Sequence, residues 1–228
     1  MPEQLVAKIK RTGYWRINIR PKKALEGRMT FEACRELVER NRVSLRGWDF
    51  PHINRQDSEH SGILRQDDFV EHWIEWDMFR EFWRMYKSGQ FISYKALVRD
   101  VLAGEAYFQG QKELHIIDAI YSVTEFTEFA FRMVNSRALG SQVLIYISLN
   151  NNANRSLVAG ENRIPFFEAN VSATETIALS GEVSMGGAED DARSLSRHML
   201  LELFDHFGWN PSEDRIREEQ ERYYRREF

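Results

Sequence analysis

Polar, aromatic and conformationally special residues follow one another in the stretch Val43-Ser44-Leu45-Arg46-Gly47-Trp48-Asp49-Phe50-Pro51-His52-Ile53-Asn54. Its apolar start predicts a strand from Val43 to Trp48, and the residues that follow predict a shaped corner lined by polar side chains. Residues 51–62, rich in Pro, His, Asn, Ser and Gly, then predict a loop. We therefore expect the corner from Arg46 to His52 to be either the wall of a binding site or a structural turn.

Both strands and helices are predicted on either side of this corner. Apolar residues at every second position indicate strands, and apolar residues at three- and four-residue spacing indicate helices. In the first half these patterns predict a strand at Tyr14–Arg20, a helix from the N-cap Thr30 to Asn41, a strand at Phe69–Trp76, a helix through Met78–Tyr86, and a strand or helix start at Phe91–Leu97.

The clearest helix of the chain is predicted at His115–Asn135. Its apolar stripe leaves Asp118, Glu125 and Arg132 on the opposite side, which we expect to face solvent. The nearly continuous apolar run Val143–Leu149 predicts a central strand covered on both faces. The remaining predicted elements are a strand at Ser172–Val183 and a helix from Glu189 to Phe207 that Gly208 closes.

Together these elements predict one α+β domain, with a mixed or mainly antiparallel sheet packed against two long helices. We expect the domain to span residues 1–211, with a candidate sub-boundary near 104–113. The segment Ser212–Phe228 has eleven charged residues and predicts a charged C-terminal helix. Its interior apolar anchors are Ile216, Tyr223 and Tyr224.

The composition is that of a globular protein, because 43% hydrophobic and 29% charged residues argue against disorder. No apolar run reaches the roughly 20 residues that span a bilayer, and the N-terminus lacks the form of a signal peptide. The single cysteine, Cys34, excludes an internal disulfide, and its place in an apolar stripe predicts a buried thiol. We expect a cytoplasmic protein without membrane contact.

Two chain corners have side chains suited to ligands. Arg46 could hold a phosphate or carboxylate through two parallel hydrogen bonds, Trp48 could stack on a flat ligand, and His52 could titrate near neutral pH. The structural alternative is that Arg46 pairs with Asp49 while Trp48 lies in the core. The second corner is the turn at residues 87–90, where Ser88 has a hydroxyl group and Gln90 has an amide side chain, both suited to a polar ligand. The candidate ligand-binding residues are therefore Arg46, Trp48, His52, Ser88, Gln90 and Tyr94.

The N-terminal segment is basic although the whole chain is acidic. Residues 1–23 have a local charge of +6 within a net charge of −4, so the rest of the chain sums to −10. Such a cluster can bind phosphate backbones, and the nucleic-acid candidates are Arg16, Arg20, Lys22 and Lys23. The structural alternative is an edge strand whose charges prevent aggregation.

Metal binding and catalysis have weak support. His198, Glu202 and His206 could share one helical face, and His52, Asp57 and His60 lie in one predicted loop, but neither set has the spacing of an established metal motif. No nucleophile elbow, Walker loop or dinucleotide fingerprint occurs. We therefore predict no catalytic residue, no metal and no cofactor.

Two motifs of the first half have a family resemblance when they are taken together. They are Arg-Gly-Trp-Asp-Phe-Pro-His at residues 46–52 and the stretch from Trp83 to Tyr94, which contains Ser-Gly-Gln-Phe. Over residues 14–135 the chain resembles a poorly characterised bacterial domain that occurs alone or ahead of Schlafen-AlbA-like regions. The resemblance implies a sensing or binding module in bacterial regulation or anti-phage defence, and it implies no catalytic residue.

The leading hypothesis is therefore a non-enzymatic binding or sensor module that acts with a partner protein or as a homo-oligomer. The alternative is a nucleic-acid-binding protein that uses the basic N-terminal strand. A third hypothesis, a metal-dependent hydrolase or nuclease, has the least support from the residues.

Overall fold

The computed structural model describes residues 2–53, 58–103, 112–159, 169–187 and 189–227. The strands within these residues are β1 (Tyr14–Pro21), β2 (Ser61–Gln66), β3 (Phe69–Trp76), β4 (Phe79–Tyr86), β5 (Phe91–Ala96), β6 (Glu113–His115), β7 (Gln142–Asn150), β8 (Arg155–Val158), β9 (Asn170–Ser172) and β10 (Thr176–Ser184). The helices are α1 (Pro2–Ile9), α2 (Phe31–Asn41), α3 (Val98–Ala103), α4 (Ile116–Asn135), α5 (Glu189–Asp205) and α6 (Glu213–Arg225). The protein is a single α+β domain, which confirms the predicted fold class.

Seven strands form one antiparallel sheet in the order β10-β7-β1-β5-β4-β3-β2. Strand β1 lies inside this sheet, hydrogen-bonded to β5 on one side and to β7 on the other. Strands β6, β8 and β9 form a separate small sheet in which β6 runs parallel to β8. The charges of β1 therefore do not protect a sheet edge, because β10 and β2 are the edge strands.

The large sheet has one buried face, which we call the inner face. Strand β1 alternates along its length, so Trp15, Ile17 and Ile19 are buried while Arg16 and Arg20 are exposed on the opposite, outer face. Helices α2, α4 and α5 pack against the inner face, and α6 packs on α4 and α5. The apolar side chains between these layers form the main hydrophobic core.

The outer face is covered over only part of its width. Helix α1 packs on β3, β4 and β5, where Leu5 and Ile9 join Phe82 in a second, smaller apolar cluster. The strands at the other side of the sheet leave alternate side chains exposed, including Tyr146 of β7 at 40%. The prediction that this strand is covered on both faces is therefore wrong, because no helix of the described chain lies over that part of the sheet.

Helix α4 is buried around most of its circumference. The sheet lies against one side, and α5 and α6 lie against others, so fifteen residues of the helix are buried. Glu125 is fully buried, and the prediction that it faces solvent is wrong for this reason. The Thr127 hydroxyl donates to the carbonyl of Val123 at 3.1 Å, which removes the cost of its burial within the apolar stripe.

Several local predictions are confirmed. Strands β1 and β3, helix α4 and helix α2 lie where the sequence patterns place them, and the Thr30 hydroxyl accepts a hydrogen bond from the amide of Ala33 as an N-cap. Cys34 is buried, and burial raises the pKa of its thiol to about 11. Helix α6 begins after the N-cap Ser212.

The predicted helix through Met78–Tyr86 is wrong, because this segment is strand β4. Glu81, Trp83 and Met85 face the inner side, while Phe82 packs beneath α1 on the outer side. Since both faces of the strand are covered, apolar residues occur at odd and even positions and imitate a helical spacing. The predicted strand at Ser172–Val183 is divided between β9 and β10, and most of the sub-boundary near 104–113 lies outside the described residues.

A buried ion pair connects the small sheet to the start of β1. Arg155 is fully buried and donates two hydrogen bonds to Asp100, of 2.7 and 2.8 Å. Asp100 also accepts from the amide of Gly13 at 2.6 Å, and Arg155 donates to the carbonyl of Glu113 at 3.0 Å. The pair therefore fixes the segment that leads into α4. In the described ranges, no helix is long and apolar enough to cross a membrane.

We predict that Arg155→Ala destabilises the fold by about 3–5 kcal/mol, because it leaves the Asp100 carboxylate without its partner. The matched control is Lys22→Ala, which removes an exposed pair with Glu182 and should cost at most about 1 kcal/mol. Urea unfolding of both variants measures the difference. Equal losses would contradict a structural role for the buried pair.

Candidate ligand-binding site

The segment from Val43 to Ile53 is a loop, so the predicted strand Val43–Trp48 is wrong. Its only strand-like feature is an isolated bridge in which Val43 and Phe50 exchange two main-chain hydrogen bonds of 2.7 and 2.8 Å. Gly47 has a φ of 82°, a conformation that favours glycine, and the Phe50-Pro51 peptide is cis. The bridge closes a loop in which Arg46 and Trp48 hydrogen-bond to buried carboxylates of other segments.

Arg46 binds α4 and not Asp49. Its Nε and Nη2 atoms donate to the two oxygens of Glu125 at 3.0 and 2.8 Å, and Nη2 also lies 3.3 Å from the Ser122 hydroxyl. The Tyr223 hydroxyl of α6 donates to the same carboxylate at 2.7 Å. Asp49 instead lies 3.3 Å from Arg42. Three separate segments of the chain therefore meet at one buried carboxylate.

The electrostatics of this cluster favour its charged form. Burial acts to lower the pKa of Arg46, but Glu125 outweighs that effect and the pKa is raised. Burial and then Glu125 raise the pKa of Tyr223, so this phenol stays a hydrogen-bond donor. Because Nε and Nη2 are both engaged, Arg46 cannot use that edge to bind a ligand with two parallel hydrogen bonds.

Trp48 is fixed by contacts on its edge and on both faces. His52 and Phe79 each stack on it with ring centroids 3.8 Å away and nearly parallel planes. Two rings in that geometry must lie on opposite faces, so neither face is open to a flat ligand. Its indole nitrogen donates to Glu81 at 2.8 Å, and Lys95 lies 3.0 Å from the same carboxylate.

A cavity of about 270 Å³ opens beside these groups, and we call it the corner pocket. Its apolar lining includes Trp15, Phe79 and Leu97. Its polar and charged lining residues are Arg46, Lys95, Arg99, Glu113, His115, Asp118 and Ser122. The volume is near the lower limit of small-molecule sites, which suits a compact ligand.

The corner pocket keeps hydrogen-bond donors that the protein does not use fully. The Nη1 atom of Arg46 is 4.0 Å from Asp118, which is beyond hydrogen-bond distance. The Nε2 atom of His115 is buried, has no hydrogen-bond partner among the described residues, and lies 3.6 Å from Glu113. Lys95 forms an ion pair with Glu81 at 3.0 Å, and its ammonium group has three donors, which leaves donor capacity. These three side chains line one cavity.

The other predicted ligand residues lie elsewhere. Ser88 is exposed in the turn between β4 and β5, beyond the end of β4 that lies roughly 17 Å from Glu81 along the strand. Gln90 lines a different concavity on the outer face, where it donates to Asn18 at 3.0 Å. Tyr94 also lies on the outer face, against Phe82. Of the six candidates, the structure brings together only Arg46, Trp48 and His52.

Several functional residues in and around the corner pocket were not predicted from the sequence. Glu81 and Lys95 occupy inner-face positions of β4 and β5, where a charged side chain requires a partner. Recognising β4 as a strand would have placed Glu81 on the same face as Trp83 and identified the pair. The sequence does not indicate a polar role for His115, and it indicates Tyr223 only as an apolar anchor of α6. Their contacts depend on how α4 and α6 pack.

The two candidate metal sets gain no support from the geometry. His198 and His206 approach the Ser194 carbonyl at 2.9 Å and the Thr174 hydroxyl at 3.4 Å, respectively. Asp57 lies outside the described residues. Among the residues that are described, no group of three or more His, Cys, Asp or Glu is placed to hold a metal ion.

Comparison with protein-family models, with curated proteins and with solved structures finds no match to this chain. The resemblance over residues 14–135 therefore stays a prediction.

His72 lies near the corner, and its burial makes the free energy of unfolding depend on pH. It lies on the inner face of β3 against Trp83, and burial lowers its pKa to about 4. Because the ordinary pKa of histidine is about 6.5, the folded state keeps the ring neutral where the unfolded state becomes charged. Its contribution is complete above pH about 6.5 and is lost as the pH falls toward 4.

We predict that His72 contributes about 3 kcal/mol to this loss of stability, which follows from the pKa difference. Urea unfolding of the wild type and of His72→Gln between these pH values measures it, with His60→Gln as an exposed control. The free energy of unfolding should fall more steeply with acid in the wild type than in His72→Gln. Identical pH dependence in the two proteins would refute the prediction.

Proposed function

We propose that this protein is a non-enzymatic binding module that holds a small ligand in the corner pocket. The observation that carries the proposal is that Arg46, Lys95 and His115, three side chains with donor groups, line one partly apolar cavity, with donor capacity left on Arg46 and Lys95. Donors of this kind bind acceptor oxygens of a carboxylate or a carbonyl group.

Two of the three donors are held in place before any ligand binds. Glu125 fixes Arg46 and Glu81 fixes Lys95, and both carboxylates are buried. Little side-chain entropy would then be lost on binding, which favours affinity for a compact ligand. The same carboxylates neutralise the two cations, so the pocket offers directed donors more than net positive charge.

The acidic residues of the pocket restrict the charge that a ligand can carry. Glu113 and Asp118 line the pocket, and they would repel a ligand with several negative charges. A neutral or singly charged molecule with an acceptor group and an apolar body fits this lining better than a nucleotide triphosphate does. The apolar body would lie against Trp15, Phe79 and Leu97.

The proposal includes the role that the sequence resemblance implies, a sensor that reports occupancy of its pocket to a partner protein. One feature that supports it is Trp76, which is 53% exposed at the end of β3 and stacks near Trp48, with ring centroids 6.1 Å apart. A large exposed aromatic side chain beside a ligand pocket is typical of protein contacts.

We predict that at least one member of a panel of small carboxylates, amides and ketones with apolar bodies raises the thermal midpoint. At a concentration of about 100 times Kd the gain is about 2.7 kcal/mol, which corresponds to roughly 5–10 °C for a domain of this size. Nucleotide triphosphates form the comparison arm and should give no shift through this pocket.

The matched variants are His115→Ala and His198→Ala. His115 caps α4 without a side-chain hydrogen bond, so its loss should leave the fold intact while weakening ligand binding about 10-fold or more. His198 is exposed on α5, and its replacement should change nothing. A panel that produces no shift, or a shift that is equal in wild type, His115→Ala and Arg46→Met, would exclude the proposal.

A further inference from the structure

The outer face of the sheet carries a second concavity, separate from the corner pocket. It has a volume of about 440 Å³, lies across β1, β7 and β10, and reaches Gln90 in the turn before β5. Its lining residues are Arg16, Asn18, Arg20, Gln90, Tyr146, Ile147, Ser148, Ala178, Leu179 and Ser180. We call it the sheet-face groove.

Two cations of the groove, Arg16 and Arg20, have no acidic partner in the part of the chain that the structure describes. Arg16 and Arg20 are exposed on β1, and within the described part of the chain neither has a salt-bridge partner within 4.0 Å. Because β1 is an interior strand, their charge has no edge to protect. Lys22, by contrast, is paired with Glu182 at 2.8 Å, so it is a weaker candidate than the sequence suggests.

A third cation extends this line of charge. The Lys10 ammonium lies over the ring of Tyr94, 5.3 Å from its centroid, and Tyr94 is the cross-strand neighbour of Arg16. Lys10 is exposed, and it too has no carboxylate partner among the residues described. Lys10 therefore lies beside Arg16 across β5 and β1, and Arg20 lies further along β1 on the same outer face.

An aromatic side chain lies between the two arginines. Tyr146 of β7 is directly opposite Asn18 of β1, which is midway between Arg16 and Arg20. The arginines are four residues apart, or roughly 13 Å along the strand. Tyr146 is 40% exposed, and the Arg20 guanidinium lies 5.7 Å from its ring centroid.

We propose that the sheet-face groove binds single-stranded nucleic acid. The cations match the phosphates of a strand that crosses the sheet, and Tyr146 offers a surface on which one base can stack. Asn18, Gln90 and Ser148 provide hydrogen-bonding groups beside that base. A duplex fits less well, because its bases are already stacked on one another and cannot reach an aromatic ring on a sheet surface.

The direct test is fluorescence anisotropy of the full chain with labelled oligo-dT, oligo-rU and a duplex, each about 12 nucleotides long. We expect binding of a single strand, DNA or RNA, with a slope of log K against log salt of about −2 for three phosphate contacts. Both single strands should bind more tightly than the duplex. Absence of binding at low salt, or equal affinity for the duplex, would overturn the proposal.

Three variants in the groove and one control outside it test whether the groove is the binding site. Tyr146→Ala should weaken binding about 5- to 100-fold, while Tyr146→Phe should keep it because the ring remains. Arg16→Glu should weaken it strongly, whereas the charge-matched Arg40→Glu on the exposed surface of α2 should have little effect. These side chains are exposed, so the variants should fold.

Two results would exclude nucleic acid as the occupant. One is unchanged affinity in both Tyr146→Ala and Arg16→Glu. The other is displacement of the labelled strand by an acidic peptide as effectively as by an unlabelled strand, which would indicate general binding of anions. Neither outcome depends on the corner pocket, so the two proposals can fail independently.

Discussion

The buried contact between Arg46 and Glu125 is the interaction on which the arrangement of this protein depends. It joins a loop without regular structure to the central helix α4, and Tyr223 brings the C-terminal helix α6 to the same carboxylate. A carboxylate fully buried in α4 would be costly without these partners. The loop geometry, the packing of α6 and the orientation of one pocket wall are thus consequences of one charge that must be satisfied.

A second buried ion pair, between Lys95 and Glu81, satisfies a carboxylate on the sheet in the same way. Trp48 donates to Glu81, so the loop is fixed at two carboxylates, one from a helix and one from a strand. The pocket between them therefore has rigid polar walls. The sheet-face groove differs from the pocket, because its arginines are exposed and pair with no carboxylate among the described residues. One site offers fixed donors in a cavity, and the other offers accessible charge on a surface.

The sequence predicts the fold class and several elements, because local patterns determine them. Thr30 as an N-cap and the alternation of β1 are examples, since each depends on neighbouring residues alone. The prediction of a helix at Met78–Tyr86 is wrong because helices cover both faces of strand β4 and remove the alternation of apolar and polar residues. The candidate site was predictable only in part. Arg46 stands out by its local context, whereas the burial of Glu125 arises from helices that are distant in sequence.

The most direct test of this account is a double-mutant cycle on Arg46 and Glu125, measured by urea unfolding at neutral pH. Arg46→Met and Glu125→Leu should each cost about 3–5 kcal/mol, because each leaves a charge without its partner. The double variant removes both charges, so its cost should be smaller than the sum of the two by about 2 kcal/mol or more. Additive costs, within about 0.5 kcal/mol, would contradict the central role assigned to this contact.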